Sequence, residues 1–156
     1  MRGHSVRFFP NAVEDHVVRV RKVSGGDEPF RLIALSAALG ESEARGSVAF
    51  PGDGDEVIGV GAVDEKRTRV AYSGCGYDKT KPDCVATVPF PTRVQPAFGG
   101  TSAAAPQAAA LAALLRQLDP KATSRRIRER LLNSCEDVGP PGLDAETGRG
   151  LIGVGK

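Results

Sequence analysis

The sequence lacks the features that would indicate a metal site, a membrane span or a nucleic-acid partner. It contains no Cys-x-x-Cys pair, which argues against a zinc site. Its longest apolar stretch is rich in alanine and is closed by Arg116 and Asp119, so it is not a membrane span. The formal net charge is only +2 over 156 residues, too small to steer the chain toward nucleic acid or an acidic membrane. These absences leave one globular domain of ordinary composition, with no nucleic-acid or membrane partner expected.

Histidine is scarce, which restricts the acid–base chemistry available to the chain by itself. Only His4 and His16 are present, and neither lies in a recognisable catalytic motif. His16 adjoins an apolar run and is predicted to be an exposed strand residue. The acidic turn at residues 52–56 lacks the full spacing of an EF-hand loop, so we interpret it as a solvated loop and expect no metal site.

The three cysteines are an odd number, so at least one thiol has no partner within the chain. Cys75 and Cys84 flank a short loop rich in Gly, Asp, Lys and Pro. A disulfide across this loop and two free thiols are both compatible with the sequence, because spacing alone does not set the geometry. Cys135 follows a predicted helix and is expected to be a small buried residue.

Hydrophobic patterning predicts both strands and helices, and therefore an α/β class. Val57–Val63 is a short apolar run without polar alternation, as expected for a strand buried on both faces in a parallel sheet. Val17–Val23 partly alternates and predicts a half-buried strand. Phe30–Leu35 is either a hairpin partner or, as we prefer, a parallel core strand. A basic helix from about Ser124 to Ser134 has an apolar face and no interleaved aromatics, so it is predicted to pack on the domain surface.

The most informative segment, residues 98–115, is a glycine pair, a Thr-Ser and a long run of small and aliphatic residues. It predicts a buried helix that begins at Ser102 and ends at 119–120. Unpaired backbone N–H groups and the helix dipole at its start favour a developing negative charge. Gly99 and Gly100 would let a substrate backbone approach closely. These features suit a serine nucleophile, whose attack generates an oxyanion; the alternative is an ordinary buried helix with a Ser/Thr cap.

This segment resembles the nucleophile motif of the subtilisin-like serine proteases, the subtilases. The family signature is Gly-Thr-Ser-x-x-x-Pro followed by an Ala-rich helix, and Gly100, Thr101, Ser102 and Pro106 match it. The resemblance implies that Ser102 is the nucleophile and that its backbone N–H contributes to the oxyanion hole. A proline in the first turn of a helix costs no intrahelical hydrogen bond, so Pro106 is expected to be tolerated.

Weaker matches follow the family's order over residues 32–154. They are Ser47–Pro51, Glu56–Asp64, Val70–Gly76, Lys81–Asp83 and Thr147–Ile152. The segment 32–42 resembles a strand that ends in Ala-Ala-x-Gly-Asn-Ser, whose Asn completes the oxyanion hole, but Glu41 replaces that Asn. An ionised carboxylate there would repel the oxyanion, whereas a protonated one would donate a hydrogen bond. The alternative is a solvated Glu in a polar loop.

The resemblance implies a partial subtilisin-like three-layer fold, with parallel strands, a buried Ser-bearing helix and an N-terminal β-like segment. We divide the chain into residues 1–31, a family-atypical and β-rich segment, and residues 32–156, the C-terminal portion of a subtilase-like catalytic domain. The family's Asp-x-Gly and His-Gly-Thr-His motifs are absent from their expected places. We therefore expect a piece of a longer catalytic domain, in which Met1 need not be the biological start. Such a piece would expose apolar surface and tend to associate.

Two functions remain open from the sequence. The first is a serine endopeptidase that cleaves polypeptide substrates through an acyl-enzyme on Ser102. Its catalytic His and Asp would come from an N-terminal fragment, so the chain alone would be nearly inactive. The second is a non-catalytic structural or binding remnant, which Glu41 favours. Subtilases are often secreted and some hold structural Ca²⁺, but this chain shows no secretory signal and no clear Ca²⁺ site, and no cofactor is expected.

Overall fold

A computed structural model describes residues 16–27, 32, 39–77 and 81–153. The chain divides into two compact units, Met1–Ile33 and Ala34–Lys156, and each is described by itself. The sequence-based division at residue 31 stays a prediction, because residues 28–31 and 33–38 lie outside the described part. For the same reason the strand predicted at Phe30–Leu35 lies outside it, apart from Leu32, which is exposed.

In the first unit, residues 16–27 are exposed and form no strand. The half-buried strand predicted over Val17–Val23 is therefore wrong, since Val20 is 60% exposed and Val23 is 81% exposed. An alternating pattern becomes a strand only where a neighbouring strand completes the hydrogen-bond ladder and one face is covered. Neither condition is met for residues 17–23.

The second unit is built on two parallel strands, β1 (Val60–Val63) and β2 (Cys84–Thr87). They pair in register from Val60 opposite Cys84 to Val63 opposite Thr87. Their central side chains, such as Ala62 and Val85, have no exposed surface. This buried parallel pair, together with the helices that follow, confirms the predicted α/β class.

Two helices follow the strands, α1 (Thr101–Leu118) and α2 (Ser124–Asn133). Both ranges agree with the sequence prediction to within a residue. α1 ends where Asp119 precedes a proline, and its last turn closes when the Asp119 N–H donates to a carbonyl of that turn. α2 starts after Thr123, whose hydroxyl accepts a hydrogen bond from the Arg126 N–H at 3.2 Å. Within the described ranges no helix is long and apolar enough to cross a membrane.

α1 is not the fully buried helix that the sequence predicted. It packs on both strands and on α2, and it buries Ala103, Ala104 and Ala108. By contrast, Leu114 is 53% exposed and Leu118 is 75% exposed. Because the sheet beneath it has only two strands in the described part of the chain, α1 covers that sheet with one face and leaves the other uncovered.

A buried ion network joins the strands to α2. Lys81 Nζ lies 2.6 Å from Asp83 Oδ2, and each side chain is only 7% exposed. The other oxygen, Asp83 Oδ1, lies 2.6 Å from Arg128 Nη2 on α2. Lys81 also donates to the Val57 carbonyl at 2.6 Å, and Asp83 Oδ2 accepts from the Gly59 N–H at 2.7 Å. Every charge in the network is therefore paired, as burial requires.

The same network explains why β1 is shorter than the strand predicted at Val57–Val63. The carbonyl of Val57 and the N–H of Gly59 bond to the side chains of Lys81 and Asp83. The Gly59 carbonyl accepts from the Asp83 N–H at 2.8 Å. Because these backbone groups are already hydrogen-bonded, the pairing of β1 with β2 begins only at Val60.

We expect Ala104→Leu to lower the free energy of unfolding by about 1–3 kcal/mol, because a larger side chain has no room in a packed core. Ala104 is completely buried in a cluster with Ala62 and Val88. Urea unfolding followed by circular dichroism would measure the change. Ala105→Leu, at an exposed position of the same helix, is the matched control and should change the value by less than about 0.5 kcal/mol. Equal losses in both variants would contradict the packing described.

Candidate active site

Ser102 lies at the second position of α1, two residues after the N-cap residue Gly100. Its side chain is exposed and makes no hydrogen bond with any described residue. Its backbone N–H likewise has no acceptor in the described part of the chain. A hydroxyl and a free N–H at the positive end of a helix are the groups that a serine nucleophile and its oxyanion hole require.

The two glycines before the helix leave the approach to Ser102 open. A side-chain carbon at Gly99 would meet no atom within 4 Å, so a substrate backbone can come close there. Gly100 has a φ of +79°, a conformation that side chains disfavour. Its N–H donates to the Tyr72 hydroxyl at 3.2 Å. Tyr72 lies in the matched segment Val70–Gly76, and nothing in the sequence indicated that its hydroxyl contacts the start of the helix.

A short hairpin leads into the glycine pair. Phe90 and Phe98 exchange two backbone hydrogen bonds, of 2.8 and 3.2 Å, as an antiparallel bridge. The turn between them is closed by Thr92, whose N–H donates to the Gln95 carbonyl at 2.9 Å. The Thr92 hydroxyl in turn accepts from the Gln95 N–H at 2.9 Å. The hairpin connects the end of β2 to the start of α1, and it therefore sets the position of Ser102.

Gln107 fixes α1 to β2 and was not identified from the sequence. Its amide nitrogen donates to the Thr87 carbonyl at 2.9 Å and to the Ala103 carbonyl at 2.9 Å. The first bond holds the helix against the last residue of β2, one turn beyond Ser102. The only signal for this contact in the sequence was a glutamine inside a run of alanines and leucines. A polar residue in such a run is usually assigned to the solvent-exposed face of the helix.

We expect Gln107→Ala to lower the free energy of unfolding by about 1–2 kcal/mol, because it removes two partly buried hydrogen bonds. The measurement is again urea unfolding. Gln117→Ala is the matched control, because Gln117 is exposed near the other end of α1. If the two variants lose the same stability, the amide of Gln107 does not anchor the helix.

Pro106 does not lie in the first turn, as the sequence analysis assumed. α1 begins at Thr101, so Pro106 is inside the helix. A proline has no N–H to donate four residues back, so the Ser102 carbonyl loses its intrahelical partner. Pro106 is the sixth residue of α1, and even counted from Ser102 it lies beyond the first turn of 3.6 residues.

No described residue of the second unit makes the hydrogen bond to the Ser102 hydroxyl that a general base would make. His4 lies outside the described residues, and His16 belongs to the exposed segment of the first unit. Glu41 lies in an exposed bend of the second unit and makes no hydrogen bond or ion pair with the described residues. Its role at the oxyanion position therefore stays a prediction.

The described residues contain no cluster of three or more His, Cys, Asp or Glu side chains that could hold a metal ion. Cys75, Cys84 and Cys135 are free thiols, so of the two alternatives for Cys75 and Cys84 the structure has the unbonded one. Cys84 lies in β2 and packs against Cys135. Cys75 packs elsewhere, and its N–H donates to the Ser47 hydroxyl at 3.2 Å.

Comparison with known proteins agrees with the motif-based resemblance. The model of the subtilase family matches residues 8–150. The chain is 33% identical over 122 residues to the minor extracellular protease Epr of Bacillus subtilis, covering 77% of this chain and 19% of that protein. It is 29% identical over 125 residues to subtilisin DY of Bacillus licheniformis, covering 79% and 44%. For subtilisin Savinase of Lederbergia lenta the identity is 32% over 124 residues, covering 78% and 45%. The chain thus spans less than half the length of these relatives.

Proposed function

The chain belongs to the subtilase family, a family of serine endopeptidases, and on that premise we propose that Ser102 is the nucleophile of a peptidase site acting on polypeptides. The observation that carries the proposal is the exposed, unbonded hydroxyl at the start of an 18-residue helix. The adjoining backbone at Gly99 is open to a substrate.

Attack by Ser102 Oγ on a peptide carbonyl would form a tetrahedral intermediate with a negative oxygen. The Ser102 N–H and the dipole of α1 would stabilise that oxygen. One such donor is worth a factor of about 10²–10³ in rate. The Oγ proton must also be removed, and a histidine held by an aspartate does this in the Ser-His-Asp arrangement.

We assign the histidine and the aspartate to a second polypeptide segment, the N-terminal portion of a subtilase catalytic domain. The uncovered face of α1 supports this assignment. Besides Arg116 and Gln117 near its end, it exposes small and apolar side chains at Ala105, Ala109, Ala113, Leu114 and Leu118. A parallel α/β domain covers such a face with further strands or helices. The relatives, more than twice as long as the matched region, have chain to supply them.

Chemical rescue tests the nucleophile in the chain as it exists. A fluorophosphonate forms a bond between phosphorus and Ser102 Oγ, fluoride leaves, and the proton passes to a base. Without a base labelling should be slow, and added imidazole should accelerate it several-fold by accepting that proton. Intact mass and peptide mapping give the rate and the position.

The chain offers a matched control in Ser124, another exposed serine at a helix N-terminus. Ser102→Ala should remove the imidazole-dependent labelling, and Ser124→Ala should leave it unchanged. Fast labelling of Ser102 without imidazole would show that this chain holds its own base. Absence of labelling in a folded sample, with or without imidazole, would overturn the proposal in favour of a non-catalytic remnant, the function that Glu41 at the Asn position favours.

A further inference from the structure

Two cysteines that are far apart in the sequence meet in one core cluster. Cys84 lies in β2 and has no exposed surface. Cys135 follows the end of α2 and is half-buried. Both pack with Ala108 and Leu131. Cys135 Sγ also lies 3.6 Å from the Leu131 carbonyl, to which its thiol donates.

The two thiols differ in ionisation, and the difference suits a sequential reaction. A hydrogen bond from the Cys84 thiol, helped by the nearby charge of Arg149, lowers the pKa of Cys135 against the opposing effect of burial. The same hydrogen bond, followed by burial, raises the pKa of Cys84. Burial also raises the pKa of Cys75, the third thiol. Cys135 is thus the accessible thiol that ionises first, and thiolates are the attacking species.

We propose that Cys135 and Cys84 are, respectively, the attacking and the resolving thiol of an intramolecular disulfide that forms by exchange with a soluble small-molecule disulfide. Cys135 thiolate attacks one sulfur of the reagent, whose S–S bond breaks and releases one reduced thiol. Cys84 then attacks the Cys135 sulfur of the mixed disulfide and releases the second reduced thiol. The protein loses two electrons and the reagent gains them, while the two protons of the protein thiols end on the two released thiols.

The resulting bond would tie the end of α2 to β2. The closed loop contains the whole of α1 and α2, including Ser102. Restricting a loop of this length in the unfolded chain raises stability, and for a domain of this size we expect the melting temperature to rise by roughly 8–16 °C. This inference does not depend on any role of Ser102 in catalysis.

The test uses oxidised glutathione on the folded full chain, with acid quenching, intact mass and peptide mapping. The wild-type chain should lose two hydrogen atoms and yield linked peptides that contain Cys84 and Cys135. Cys84→Ala should stop at one glutathione adduct on Cys135, because the resolving thiol is gone. Cys135→Ala should leave Cys84 unmodified, and Cys75→Ala should form the bond at the wild-type rate.

Two measurements on the wild-type chain, the pH dependence of the reaction rate and the reactivity of Cys75, test the proposal even if a variant at the buried Cys84 does not fold. In the wild-type chain the rate should rise with pH through a midpoint lower than that of an ordinary thiol, because the reaction starts at Cys135, whose pKa is lowered. Cys75 should remain the slowest thiol. A Cys75–Cys84 linkage, modification of all three thiols at one rate, or no reaction at Cys135 in a folded sample would each overturn the proposal.

Discussion

Replacing Asp83 by alanine is expected to lower the free energy of unfolding by about 3–5 kcal/mol, a large part of the stability of a typical domain. Asp83 is the only carboxylate in the buried network, and it faces Lys81 and Arg128 at 2.6 Å each. Its loss leaves the Lys81 ammonium buried, with the Val57 carbonyl as its one remaining partner among the described residues. An unpaired buried charge costs more than the pair itself contributes. Guanidinium unfolding followed by circular dichroism measures the difference.

Two further variants test whether the lost stability comes from the unpaired buried charge. Removing all three charges, with Lys81→Met, Asp83→Leu and Arg128→Met together, should restore part of the stability, because apolar residues of similar volume often replace a buried ion pair or triad at little cost. Arg125→Ala removes an exposed ion pair on α2 and should change stability by less than about 0.5 kcal/mol. A loss below about 1 kcal/mol in Asp83→Ala would show that the network is not important for folding.

Supplying the catalytic His and Asp from a second polypeptide is expected to raise the rate of Ser102 acylation by on the order of 10⁴-fold or more. The reason is that the structure places the proposed nucleophile, Ser102, at the start of α1, where no described residue accepts a hydrogen bond from its hydroxyl as a base would. The partner would be an N-terminal subtilase segment that carries the Asp-x-Gly and His-Gly-Thr-His motifs, refolded together with this chain. Fluorophosphonate labelling of the purified complex gives the rate.

The controls for this complementation lie on both polypeptides. Ser102→Ala should abolish labelling in the complex, and alanine in place of the partner's motif histidine should return the rate to that of the chain alone. Binding should also protect the exposed face of α1, including Leu114 and Leu118, from hydrogen exchange. Labelling at another residue, or a verified complex whose rate does not change, would contradict the proposed peptidase site.

Much of the helical structure follows from local signals in the sequence. α1 begins after Gly100 because glycine accepts the positive φ found there, and it ends before Asp119–Pro120 because a residue before proline avoids the helical conformation. α2 follows Thr123, a good N-cap residue. The run at Val57–Val63 was identified as a buried strand, but its first three residues were assigned wrongly. Val17–Val23 failed as a strand because alternation without a partner strand does not form a ladder.

Part of the candidate site was also predicted from local signals in the sequence. Ser102, Gly100 and Thr101 form a contiguous motif, so their placement at the start of a helix could be inferred from the sequence. Tyr72 and Gln107 could not, since each contacts the motif or its helix through a hydrogen bond to a backbone group distant in sequence. The expectation for Pro106 was wrong because the motif fixes its distance from Ser102 but places it beyond the first turn of the helix.

By itself, then, the sequence determined the family, the nucleophile candidate, the position of the buried strand β1 and the ends of the helices, because each depends on neighbouring residues or on a short periodic pattern. The tertiary structure decided which distant side chains meet. It placed Cys84 beside Cys135 and not beside Cys75, and it set Arg128 against Asp83. It also left half of α1 uncovered. These outcomes depend on how a helix packs on a sheet, and no local pattern of residues encodes the distance between two surfaces that meet only after the chain has folded.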